Sequence, residues 1–271
     1  MTDGIHLVFF PPTRNRADAI TAGFRFGHIG THTSRTIMLE ELTVALASVP
    51  LESKAPAYAE AIIQENCLGK QTISTRRLTF QRLRELYALD PNIPIFRILR
   101  RAWDSDVDGR PLLALLCGLA RDPLLLATAD VVIGLPEGGE FQRTAMRAVL
   151  AEGVHDRLNE STLNKVVRNA ASSWSQSGHL DGRTFKFRRT VRATPHTVAF
   201  ALYLAHAANF PAKESLSSGW LRVLDCGVSS ALELAMSAKR LGLIDFQMGG
   251  DVIDLKFARL DPAFSLASHA R

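Results

Sequence analysis

The chain has little with which to lock itself covalently or to hold a metal. Its 271 residues include three cysteines, Cys67, Cys117 and Cys226. The odd number, the wide spacing and the lack of any CxxC or Cys/His pairing exclude a disulfide framework and a zinc site as organising features. Each cysteine reads as a small buried hydrophobe in a reducing compartment. Long apolar runs are missing too. The longest, residues 112–120, is closed by Arg121 and Asp122 and falls far short of the roughly 20 residues needed to cross a bilayer. Residues 5–10 are apolar but too short for a signal segment, have no basic region before them, and end at Pro11-Pro12. The cytoplasm, without membrane attachment, is therefore the expected location.

Catalytic signatures are equally scarce. There is no P-loop, GxSxG, HExxH or Gly-rich strand-turn-helix fingerprint, so no catalytic residue, cofactor or metal is expected. Gly134, Gly138 and Gly139 lack the following Lys-Ser/Thr of a phosphate loop and read as a linker. His28 and His32 stand four apart, but Gly30 lies between them and no third ligand is near. His179 beside Asp181 reads as a polar turn rather than a base with its orienter. Trp103, Trp174 and Trp220 fall on helical apolar faces or at element ends and read as core.

What is present is positive charge in two places. Residues 70–84 hold five basic and no acidic side chains, and residues 161–192 hold seven basic against one acidic. The whole chain is only +5, so everything outside these two stretches is net acidic. Such local basicity fits an anionic partner better than general solubility.

The apolar periodicity is mostly helical. Residues 1–33 lack it and read as an arm with at most one short strand. Ile37, Leu39, Leu42, Val44 and Leu46 predict a helix ending before Pro50, and Tyr58, Ile62, Ile63 and Cys67 predict another ending near Gly69. Ser74 or Thr75 can cap a third, with Leu78, Leu83, Leu86 and Tyr87 on its apolar side and Arg76, Arg77, Arg82 and Arg84 elsewhere. Pro94, Pro111 and Pro123, the last behind Asp122, open helices over 95–103, 112–120 and 124–133. After the glycines comes a helix over 140–152. Asn159 to Thr162 cap the next, whose apolar positions are Leu163, Val166, Val167, Ala170 and Trp174, and Gly178 stops it. Residues 185–191 alternate as a strand, helices follow over 195–208, 213–224 and 228–241, and Gly249-Gly250 joins two final strands, 243–248 and 251–257, as a hairpin. With that loop Phe246 opposes Ile253, Ile244 opposes Leu255, and Asp245 opposes Asp254, a like-charge pair that disfavours laying this acidic wing on phosphate.

The expected fold is mainly α, a helical domain over 34–153 followed by winged-helix-like units with short β-hairpins over 154–260 and a tail over 261–271. The candidate interface for nucleic acid is Ser161, Thr162, Asn164, Lys165 and Arg168 on the helix and Arg183, Lys186, Arg188, Arg189 and Arg192 beyond it, joined by Arg76, Arg77, Arg82 and Arg84. The bland alternative is a solvated basic face. For residues 70–84 it is a set of ion pairs with neighbouring carboxylates such as Glu40, Glu41, Glu60 and Glu65.

Residues 61–70 (Ala-Ile-Ile-Gln-Glu-Asn-Cys-Leu-Gly-Lys), Ser74-Thr-Arg-Arg77 with Arg82-Leu-Arg84, and Glu160-Ser-Thr-Leu-Asn-Lys165 running to Ser177-Gly-His-Leu180 give the chain its likeness to a known group. In these segments and their order it resembles the BrxA family of BREX phage-defence systems, over roughly residues 34–257 as judged by segment order. The resemblance implies a NusB-like helical bundle and a DNA-binding accessory that is not an enzyme. It also implies double-stranded DNA as partner and work beside an adenine methyltransferase, an ATPase and an alkaline-phosphatase-like component. The long N-terminal arm departs from the family. Two other readings remain open, a protein-binding scaffold or adaptor and an RNA-binding NusB-like protein.

Overall fold

The computed structural model describes residues 6–12, 16–27, 30–154, 158–250 and 252–263. The chain is mainly helical, with two small antiparallel hairpins. In order come α1 (Ala17–Ala22), a 3-10 turn (Thr31–Thr33), α2 (Leu39–Ser48), α3 (Ala55–Ala59) continuing as a π turn (Glu60–Gln64), α4 (Ile73–Tyr87), α5 (Pro94–Ser105), α6 (Arg110–Arg121), α7 (Pro123–Leu126), α8 (Ala129–Ile133), α9 (Arg143–Val154) and α10 (Glu160–Gln176). The hairpin β1 (Leu180–Asp181) and β2 (Phe187–Arg188) follows, then α11 (Pro195–Ala207), α12 (Ala212–Ser215), α13 (Gly219–Arg222), α14 (Val228–Arg240) and the hairpin β3 (Asp245–Gly249) and β4 (Val252–Lys256).

Two helices carry the core. Every residue of α6 from Leu112 to Ala120 is buried, as is every residue of α11 from Thr197 to Ala205. A helix apolar on all sides must lie inside, and these two pack on each other while the rest surrounds them. Pro111 and Pro195 sit in their first turns, where a missing N–H costs nothing. The buried apolar residues form one cluster running from Leu7 to Leu260. Among the described residues no single helix is long and apolar enough to cross a membrane.

Several expectations need correction. The described part of the expected arm is packed: Leu7, Phe9, Ala19, Ala22 and Phe24 are buried. Leu7 N donates to Asp130 at 2.8 Å, and Trp220 Nε1 donates to Phe9 O at 2.9 Å. That contact also breaks the helix expected over 213–224. Gly219 N donates to Val8 O at 2.7 Å, and a Cβ at Gly219 would lie 3.0 Å from that oxygen and 3.1 Å from the Phe9 ring. The helix expected over 124–133 breaks at Thr128, whose hydroxyl donates to Leu125 O and accepts Trp174 Nε1 at 2.8 Å. The cap of α4 is Thr72, which accepts from Thr75 N, not Ser74 or Thr75.

The strand expected over 185–191 shrinks to Phe187–Arg188, because residues 182–186 close as a loop before it and the N–H groups of Thr190 and Val191 after it are taken by Glu137 and Asp225. It pairs with β1 on one side and on the other with the glycine stretch read as a linker: Gly138 N donates to Arg188 O, Arg188 N to Gly139 O and Phe141 N to Lys186 O, at 2.8–2.9 Å. The final hairpin exists with its register moved by two. Gly249 pairs with Val252, leaving 250 and 251 in the connection, of which Asp251 lies outside the described residues. Gly250 has φ +59°. The move sets Phe246 and Met248 opposite Leu255 and Ile253, so the apolar faces still coincide. It also sets Asp245 opposite Lys256 instead of Asp254, which removes the like-charge pair.

Candidate nucleic-acid interface

α10 begins where Asn159 Oδ1 accepts from Thr162 N at 2.8 Å, which satisfies one of the N–H groups left open at a helix start. Leu163, Val166, Val167, Ala170 and Trp174 are buried. The opposite side at the same 3.6-residue period is Ser161, Asn164, Lys165, Arg168, Ser172 and Ser175, of which the first four are exposed. At 1.5 Å per residue this stripe is about 21 Å long. Lys165 and Arg168 hold no ion pair or side-chain hydrogen bond with a described residue, so their charge faces solvent; Thr162 is half-buried beside them.

The stripe leads to the β1–β2 hairpin. Lys186 Nζ donates to Ser175 Oγ at 2.7 Å and to Gly182 O at 3.0 Å, tying the hairpin loop to the last turn of α10. Burial lowers the Lys186 ammonium below its ordinary value, and the charge of Arg143 on α9 lowers it further. Arg183 is exposed on the same loop, and so is Phe185 at 65%. Arg143 and Phe185 were not among the residues singled out from the sequence. Arg143 lies outside both basic stretches, and Phe185 reads in an alternating strand as a core side chain. The signal that would have found it is the turn residue Gly182 three places earlier, which marks 182–186 as a loop.

The other basic residues divide. Arg188 is buried and ion-paired with Asp225, which also accepts from Val191 N at 2.8 Å. Its guanidinium therefore cannot reach a phosphate. Arg189 is exposed between Glu137 at 3.7 Å and Asp181 at 3.6 Å. Arg192 lines a cavity of about 590 Å³ with Asp108, Ser177 and Gly178. On α4, Arg76 donates to Lys70 O and Ile63 O, Lys70 pairs with Glu41 at 3.1 Å, and Arg82 pairs with Glu85 at 2.7 Å. Arg77 and Arg84 of that helix are exposed without such a partner, so among the four arginines of α4 only Arg82 is ion-paired with a described residue, and Lys70 just before the helix is paired as well.

His32, Asp122 and Ser173 stand in line: Nδ1 of His32 is 2.8 Å from Asp122 Oδ2 and Nε2 is 2.8 Å from Ser173 Oγ. The order is that of a hydrolase triad, but the three are 0%, 1% and 0% exposed. Ser173 Oγ is also engaged by Ile37 N and Asn169 O. Burial raises the Asp122 carboxyl, yet the attraction and hydrogen bonds of His32, with the Leu125 N–H, outweigh it and hold the group below its ordinary value. His179 is buried between Ser177 Oγ and Val223 O, not beside Asp181, and burial pushes it down to about 4. His28 lies outside the described residues. Trp103, Trp174 and Trp220 are core side chains. Among the described residues no group of three or more His, Cys, Asp or Glu is placed to hold a metal ion.

No known family model matches the chain, and no curated protein matches it.

Proposed function

We propose that the chain is a DNA-binding accessory protein of a BREX-type antiphage system, with α10 and the β1–β2 hairpin acting as helix and wing on duplex DNA. The observation that carries the interface is the unpaired cationic stripe of α10 continuing onto a hairpin pinned to the same helix. Lys165 and Arg168 meet phosphates, Ser161 and Asn164 supply hydrogen bonds at the helix start, and Arg183 and Lys186 extend the contact past its end. Arg189 is secondary, because two carboxylates already share it. The helical remainder is NusB-like in this reading, and the methyltransferase, ATPase and phosphatase-like components are its protein partners, both on the resemblance of residues 61–84 and 160–180 to the BrxA family.

Salt titration of binding to a labelled duplex tests the interface. Affinity is expected to fall steeply as salt rises, and Lys165→Glu with Arg168→Glu to weaken binding at least tenfold and flatten the log–log slope by about 2, one per lost phosphate contact. An unchanged slope in that variant would remove α10 from the interface. Competition by structured RNA as effective as by duplex DNA would instead favour the RNA-binding alternative.

A further inference from the structure

Phe185, on the loop that joins β1 to β2, is 65% exposed, and Phe187, the first residue of β2, is 41% exposed. Neither packs against the core cluster. An aromatic ring left in water at a loop tip contributes nothing to folding, yet this loop is built to hold its shape. Gly182 has φ +112°, and a Cβ there would lie 2.0 Å from Phe185 O, so no other residue allows the chain to close on itself at this point. Lys186 fixes the far side through Ser175 and Gly182. The one carboxylate between residues 161 and 192, Asp181, lies 3.6 Å from Arg189 and is partly offset by it. An exposed ring thus stands in the loop between Arg183 and Lys186.

We infer that Phe185 stacks on a base that is already out of the helix stack, so that the preferred ligand is duplex DNA interrupted by an unpaired nucleotide. The inference rests on the reading of α10 as the duplex-binding helix. A ring entering a fully paired step must first separate stacked bases, which is costly. At a bulge or mismatch much of that separation has already occurred, so stacking appears as a gain in affinity. The loop is ordered before binding, so little of the gain is lost in fixing it.

The test compares a fully paired duplex with the same duplex carrying a single unpaired adenine. The unmodified protein is expected to bind the bulged duplex about tenfold more tightly. Phe185→Ala should abolish that preference while leaving paired-duplex affinity and its salt dependence unchanged. Phe185→Trp gives a direct readout, since Trp103, Trp174 and Trp220 are only 1%, 0% and 0% exposed. Emission quenched by acrylamide then comes from position 185, and the bulged duplex should protect it where the paired one does not. Equal affinity for both duplexes, with paired DNA still bound, would overturn the inference alone and leave the rings to a protein partner. Retention of the preference in Phe185→Ala, or equal loss on both duplexes, would overturn it too. Binding of neither duplex would remove the reading of α10 along with it.

Discussion

Arg188 and Arg189 are neighbours in sequence and opposites in environment. The Arg188 side chain is 4% exposed and paired with Asp225, itself 13% exposed, whereas the Arg189 side chain is 55% exposed. Breaking a buried pair leaves an uncompensated charge and costs about 3–5 kcal/mol, while exposed pairs are worth about 0–1 kcal/mol. Arg188→Glu, which sets two carboxylates together, is therefore expected to lower the urea midpoint severely, and Arg189→Glu hardly at all. Equal midpoints for the two would show that the Asp225 pair does not hold the hairpin to the body. Charge alone could not make this distinction in the sequence, because Asp225 lies 37 residues away. The exposed positions on α10 were legible, since a helix declares its outer face by period; the two-residue strand Phe187–Arg188 is too short to declare one.

At the scale of elements, the sequence signals that held were local. Proline in the first turn opens α5, α6, α7 and α11, and Asp122 caps α7 by accepting from Leu124 N and Leu125 N. The breaks at Thr128 and before Gly219 were illegible because distant groups make them, Trp174 in one case and Val8 in the other. Asp122 joins both kinds of information, capping α7 and receiving His32 from the N-terminal segment. Asp122→Ala should cost about 2–4 kcal/mol at neutral pH, a lost cap plus a buried histidine left without its partner. The carboxyl is held below its ordinary value of 3.8, so its contribution is full above that pH and fades as pH falls through the folded value. Urea midpoints of the two proteins should therefore converge as pH drops below about 4. A gap constant down to pH 3 would mean that the ionised form contributes nothing.

For the molecule as a whole, the packing of α6 on α11 sets the size of the cooperative unit. The expected boundary near residue 153 falls between these two helices, and cutting there would expose the sides of each that face the other. The N-terminal segment binds the halves further: Leu7 N donates to Asp130 in the first turn of α8, while Phe9, Phe10 and Phe24 pack their rings on Trp220 of α13 at centroid distances of 5.0–6.1 Å. Neither half can recover this burial alone, because its missing surface is apolar and belongs to the other half. Far-UV and near-UV signals are therefore expected to coincide in a single denaturant transition of the full chain. Residues 1–153 and 154–271 expressed separately should show no sharp transition. A cooperative transition from either half would establish that half as a domain with its own core, and the contact between α6 and α11 would then be a docking surface between two folded units.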